Sequence, residues 1–233
     1  EEAYRLWDAV RLLAANKYYL IICGVYILTQ LYTATLNMGI YFMIYILGNE
    51  SLLGVFSMAI NIPMIAGLIL TPVLVKRLGG MYRLNLSGYA LSAAARALVV
   101  VGAYIGSIPM MLLFSGVAAL GMSPLQGDLN ALIATCSEYT YLTRRKRIDG
   151  TMYSCTSLGV KIGGGLGVAL AGWLLDASGY IPNAAVQADS CITMLYFMYL
   201  WLPMLLNLVI TFLLSRLKVE QANARLTAGK TMG

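Results

Sequence analysis

Every second break between the apolar stretches of this chain carries lysine and arginine, and the breaks in between carry neither. Six such stretches can be read, at about Tyr19–Leu47, Leu52–Val75, Leu84–Tyr104, Met110–Ile133, Met152–Leu175 and Ile192–Leu214. Each can cross a bilayer, because roughly 20 helical residues rising 1.5 Å apiece span the hydrocarbon core. Arg5, Arg11 and Lys17 precede the first, and Lys76, Arg77 and Arg83 lie between the second and third. Arg144, Arg145, Lys146 and Arg147 separate the fourth and fifth, and Arg216, Lys218, Arg225 and Lys230 follow the sixth. The remaining breaks hold only Glu50, Asp176 and Asp189 as charged residues. Basic loops are retained on the cytoplasmic side during insertion. The alternation therefore predicts an even number of spans, with both ends cytoplasmic; the plasma (inner) membrane is the expected location.

Composition narrows the chemistry further. Only 11% of the residues are charged, against about 25% in soluble domains. The net charge of +6 is dispersed over the loops and forms no basic face, so nucleic acid is not an expected partner. Histidine is absent, which removes imidazole base chemistry, His metal ligation and His pH sensing. Cys23, Cys136, Cys155 and Cys191 stand singly, with no Cys-x-x-Cys pair, and read as small apolar residues rather than disulfides or ligands. Nothing offers a nucleophile–base pair or a metal site, so neither an enzyme nor a resident metal or cofactor is expected. The stretch Glu1–Asn16 is amphipathic and charged, without the apolar region of a signal peptide. The chain begins without methionine, and we expect further chain upstream.

Lys161 is the residue least at home in its surroundings. It lies in Ser157-Leu-Gly-Val-Lys161-Ile-Gly-Gly-Gly-Leu-Gly167, near the middle of the fifth stretch. A charge at that depth costs several kcal/mol unless it meets a wet cavity or a partner, and such residues mark candidate substrate or ion paths. Polar side chains also recur at helical spacing, which puts them on one face. Tyr26, Gln30, Thr33, Asn37 and Tyr41 do so in the first stretch; Ser123, Gln126 and Asn130 in the fourth; Tyr153, Ser157 and Lys161 in the fifth. Such stripes either hold helices together or line a hydrated cavity. With Lys161 among them, a cavity is the better expectation.

Gly159, Gly163 and Gly167, followed by Ala171, recur every four residues and predict close approach of a neighbouring helix. The glycine run around Lys161 lacks the order of a phosphate-binding loop. Asp128 lies in the fourth stretch at a depth like that of Lys161, so the two are expected to pair or share a hydrated cavity. Arg96, in the third, has a stem long enough to snorkel to the outer headgroups. Pro109 opens a helix; Pro63, Pro124 and Pro203 fall inside helices and should kink them.

Several segments resemble a known family. Pro72-Val-Leu-Val-Lys76-Arg77-Leu-Gly79 is similar to the loop between helices eight and nine of major facilitator transporters. Ala131-Leu-Ile-Ala-Thr135-Cys-Ser-Glu138-Tyr139, then Lys146-Arg147-Ile-Asp149-Gly150-Thr-Met-Tyr153-Ser154, is more specific. It resembles the signature of glycoside–pentoside–hexuronide:cation symporters, the group containing melibiose permease. Lys161 matches that family's functional lysine of helix eleven, Gly179-Tyr-Ile-Pro-Asn183 and Gln187 resemble the following external loop, and Pro203 fits helix twelve.

The resemblance implies an all-α membrane protein. Its six transmembrane helices would form one half of a major facilitator transporter, helices seven to twelve, folded as a 3+3 inverted repeat. Residues 1–17 would end the middle cytoplasmic loop, 18–216 form the bundle, and 217–233 the cytoplasmic tail. It further implies symport of a sugar or glycoside with Na⁺ or H⁺, most cation ligands being on the N-terminal six-helix half. Lys161, with Asp128, would serve coupling and substrate, and Arg83, Glu138, Arg147 and Asp149 would form a cytoplasmic gate. The family commonly has Asp where this chain has Thr135, so that charge network is altered. Two alternatives stay open: a half that pairs with a second copy of itself, and a membrane sensor or scaffold that kept the fold without transporting.

Overall fold

A computed structural model describes residues 6–231, and among them every regular element is a helix. Arg5, with the start of the amphipathic segment, and Met232 and Gly233 of the tail lie outside the described residues. Six helical stretches are long and apolar enough to cross a membrane, as the hydropathy predicts. The chain is a multi-pass membrane protein. A short helix α1 (Leu6–Ala15) leads into the first span, α2 (Lys17–Asn37) continued by α3 (Gly39–Tyr45). The next four are α4 (Leu52–Leu78), α5 (Met81–Tyr104), α6 (Ile108–Arg144) and α7 (Asp149–Ala177). The last combines α8 (Asp189–Tyr196), a π turn (Phe197–Trp201) and α9 (Leu202–Arg216), before a terminal helix α10 (Val219–Thr231).

Proline explains several irregularities of the spans. Pro124 has no N–H for the Leu120 carbonyl four residues back; the Ser123 hydroxyl donates to that oxygen instead, at 2.7 Å. Pro63 likewise releases the Ala59 carbonyl, and Gly116 of α6 packs so closely there that a Cβ would lie 2.8 Å from its oxygen. Ahead of Pro203 the helix widens, with the Leu202 N–H donating to Phe197 five residues back. Pro72 sits inside α4, so the segment expected to be a loop is helical to Leu78 and only Gly79-Gly80 turn, both at positive φ.

Small residues set the spacing of the bundle. Gly88 of α5 and Gly121 of α6 meet backbone to backbone, a Cβ on either running into the other's carbonyl oxygen. Gly163 and Gly167 of α7 take the same role against α2. Gly159 does not: no neighbour comes within 4 Å of where its Cβ would be. Each four-residue step rotates about 40° around the axis, so a row of this period leaves the contact after two or three turns.

The end of the bundle that carries the basic clusters is strapped by the two short helices. Ala9 and Leu13 of α1 are buried in the core. Asn16 caps α2 by accepting from the N–H groups of Tyr18 and Tyr19, and its amide donates to the Cys136 carbonyl and Thr140 Oγ1 of α6. The N-terminus of α5 has no cap of its own. Glu220 of α10 accepts there from the N–H groups of Met81 (3.1 Å) and Tyr82 (2.9 Å). The Asn223 amide donates to the carbonyl of Thr135.

Candidate functional site

α4 and α7 are the least covered spans, with 11% and 22% of their most apolar windows buried against 44–56% in the others. Lys161 is therefore exposed on the surface of this bundle rather than enclosed by it. The Tyr153 hydroxyl donates to the Asn130 carbonyl of α6 at 3.0 Å. Tyr153 also lines a depression with Ala134 and Ser137 of α6, and Ser157 and Lys161 follow it at one-turn intervals along α7. Ser157, Gln126 and Asn130 are exposed and Tyr153 is half-buried. Gln30 flanks the group from α2, its Oε1 3.5 Å from where a Cβ of Gly164 would stand. The outcome is an open polar face at mid-span, with one ammonium group and several amide and hydroxyl groups. It can offer hydrogen-bond donors and acceptors to a polyhydroxylated ligand.

Of the remaining predicted cavity residues, Tyr26 and Ser123 are drawn into helix contacts, while Thr33 and Asn37 stay exposed on the α2 face that bears Gln30. Tyr26 is buried and donates its hydroxyl to the Leu125 carbonyl at 2.7 Å, tying α2 to α6. Ser123 is buried against Gly67 of α4; it stands about 60° around the axis from Gln126, enough to leave the open face. Tyr41 is past the break at Met38, which resets the register, and meets Tyr180 edge to face at 5.2 Å. In that cluster a hydrogen bond with Tyr45 holds the Tyr180 phenol up at about 12, so it remains uncharged.

Asp128 does not pair with Lys161. It is buried against α5, where the Asn85 amide donates to its Oδ2 at 3.2 Å, whereas Lys161 is exposed on another helix. Arg96 does not snorkel either. It is 2% exposed, with its guanidinium 5.1 Å over the ring of Tyr32 in the interior. Reading from sequence singles out Arg96 alone and misses the row it belongs to: Asn85, Tyr89, Ser92 and Arg96, all buried on one face of α5.

Three of the four expected gate residues come together. Glu138, Arg147 and Asp149 line one depression of about 310 Å³ with Ser137, Tyr141 and Tyr153 at the basic end. Arg147 lies 4.0 Å from Glu138, an exposed pair, and 4.8 Å over the Tyr141 ring. Arg83 is not in this group but exposed beside Gly79. Glu220, which no local signal marks, occupies the α5 terminus instead.

The model of the family described as MFS/sugar transport protein matches residues 1–221, nearly the whole chain. The chain belongs to that family. Two curated relatives match about two thirds of the chain. An isoprimeverose transporter of Lactiplantibacillus pentosus is 24% identical over 155 residues, 66% of this chain and 32% of the relative. An uncharacterized symporter, YjmB, of Bacillus subtilis (strain 168) is 28% identical over 155 residues, 66% of this chain and 33% of the relative. The match thus spans about a third of the length of these relatives. An all-α half of a major facilitator sugar-transport protein accounts for the helices, and the family is one of transporters rather than enzymes.

Proposed function

We propose that this chain is the C-terminal half of a secondary transporter that carries a sugar or glycoside together with Na⁺ or H⁺. The observation that carries the reading is Lys161, exposed at mid-span on a polar face that no helix of its own bundle covers. Leaving an ammonium and several amides uncovered in hydrocarbon is costly, so the face is matched to a wet partner surface. An N-terminal six-helix half supplies that surface and most of the cation ligands. The names of the two relatives, one an isoprimeverose transporter and one an uncharacterized symporter, favour the substrate class and the coupling.

In this account Lys161 donates hydrogen bonds to sugar hydroxyls and biases carboxylates across the interface towards ionisation. That links sugar and cation occupancy. Rocking of the two bundles exposes the face to each side in turn. Glu138, Arg147 and Asp149 lock the cytoplasmic side at the plasma membrane, and both termini lie in the cytoplasm.

Uptake of radiolabelled isoprimeverose and a panel of glycosides into vesicles, driven by a Na⁺ or a proton gradient, tests the proposal. The intact transporter should accumulate at least one sugar under one gradient. Lys161→Ala should abolish accumulation while leaving the protein folded, since the side chain is exposed. Accumulation unchanged by Lys161→Ala contradicts the assignment; sugar equilibration indifferent to either gradient contradicts symport.

A further inference from the structure

The polar row on α5 lies inside the bundle, away from the face that bears Lys161. Asn85, Tyr89, Ser92 and Arg96 step by four, three and four residues, and all are 0–2% exposed. Elements on three sides bring further polar groups to it. Asp128 of α6 accepts from the Asn85 amide at 3.2 Å. The Asn207 amide of α9 donates to Ser92 Oγ at 2.7 Å. From α2, Tyr32 lies under the Arg96 guanidinium. The row runs about 16 Å along the helix, roughly half the hydrocarbon thickness.

Its hydrogen bonding is incomplete in a patterned way. Among the described residues seven buried side-chain atoms lack a partner. Five of them belong to this row or the groups facing it: Asn85 Oδ1, Tyr89 OH, Arg96 Nε, Tyr32 OH and Asn207 Oδ1, the two phenols having only the loosely placed side chains of Thr29 and Arg96 beside them. Orphaned polar atoms are ordinarily few and scattered, and each costs about 1–3 kcal/mol. Arg96 adds a charge that makes no ion pair among the described residues. A buried guanidinium without counter-charge demands solvation.

We propose that the interior of this bundle holds a file of bound water along the α5 row, from Asp128 to Arg96. The chemistry of the orphans selects the occupant. Asn85 and Asn207 are oriented by their donated bonds, so what they present to the row is a carbonyl oxygen, which only accepts. Arg96 Nε–H only donates, and the two phenols do either. An anion cannot serve the carbonyls, and a cation cannot serve Nε–H. Water serves all five. Polar cavities bind water through two to four bonds apiece. With one bridging position per helical turn, about three waters fill the row. The wet compartment then extends beyond the surface facing the partner half and into the core of the bundle.

X-ray hydroxyl-radical footprinting of the intact protein in lipid nanodiscs tests this, because radicals formed from bound water mark the side chains beside it. Phe42 and Phe56, 0% and 1% exposed in apolar surroundings, provide the dry reference. After correction for intrinsic reactivity, Tyr32 and Tyr89 should be labelled at least about tenfold faster than these phenylalanines, since polar interiors hold water and apolar ones stay dry. In Arg96→Met, labelling of Tyr32 should fall toward the reference. Tyr32 and Tyr89 labelled no faster than Phe42 and Phe56 would overturn the water file, whether or not Arg96→Met folds. Labelling that is low in chloride and rises when gluconate replaces it would also overturn it, in favour of a bound anion.

Discussion

Lys161 and Asp128 show how far two ionisable residues at like depth can be separated by the rotation of their helices. Depth follows from counting along the chain, and rotation does not. Asp128 turns into the α5–α6 contact and takes the Asn85 amide as its partner, while Lys161 is exposed on α7. The two should therefore act independently. In a double-mutant cycle on initial uptake rates, Asp128→Asn and Lys161→Ala should combine within about 0.5 kcal/mol, as unconnected sites do. A coupling energy above about 1 kcal/mol would instead mean that they meet during the transport cycle. The same distinction separates Gln126 from Ser123. Both belong to one spacing pattern, yet the turn between them moves Ser123 from the open face to the packing against Gly67.

Among the elements, α7 is the most exacting. One of its faces packs on α2 through Gly163 and Gly167, and the opposite side carries Lys161. A Cβ at Gly167 would come 3.0 Å from that of Ala34, so Gly167→Leu should force the helices apart and cost about 2 kcal/mol. Gly159→Ala, with open space around it, should not destabilise and, alanine being the better helix former, should stabilise by up to about 1 kcal/mol. Thermal unfolding of the purified variants compares the two directly. A Gly167→Leu protein as stable as the parent would show that α7 does not pack as described. At the basic end, Glu220 is the remote cap of α5, and Glu220→Ala should cost about 1 kcal/mol, the usual value of an N-cap. An unchanged unfolding midpoint would mean that α10 is not docked on the bundle.

For the whole molecule, what sequence reading reaches is what local physics decides. The six spans, the helix opened at Pro109 and the glycine contact at residues 163 and 167 follow from hydropathy, a missing N–H and the absence of side chains. What it does not reach depends on several helices at once. The break at Met38, which takes Tyr41 off its stripe, is marked only by the lone Gly39 beside it, a residue that membrane helices tolerate without breaking. The distance of Arg83 from the depression around Glu138 depends on where α5 begins relative to the end of α6. The row Asn85, Tyr89, Ser92, Arg96 has the same spacing as the stripes that drew attention, but a lone arginine invites a snorkelling explanation, and only packing shows it sealed inside.

The central claim is that the face of Lys161, Ser157 and Gln126 borders a water-filled path used by substrate, whereas the other exposed side of α7 meets lipid. Cysteine accessibility decides this most directly. Single cysteines at these three positions and at Ile162, Leu166 and Trp173, introduced into the intact transporter with Cys23, Cys136, Cys155 and Cys191 replaced, are treated with a membrane-impermeant thiol reagent. The account predicts labelling at 126, 157 and 161, slowed by a transported sugar, and protection at 162, 166 and 173. Uniform protection at all six, or labelling that no sugar slows, would contradict it.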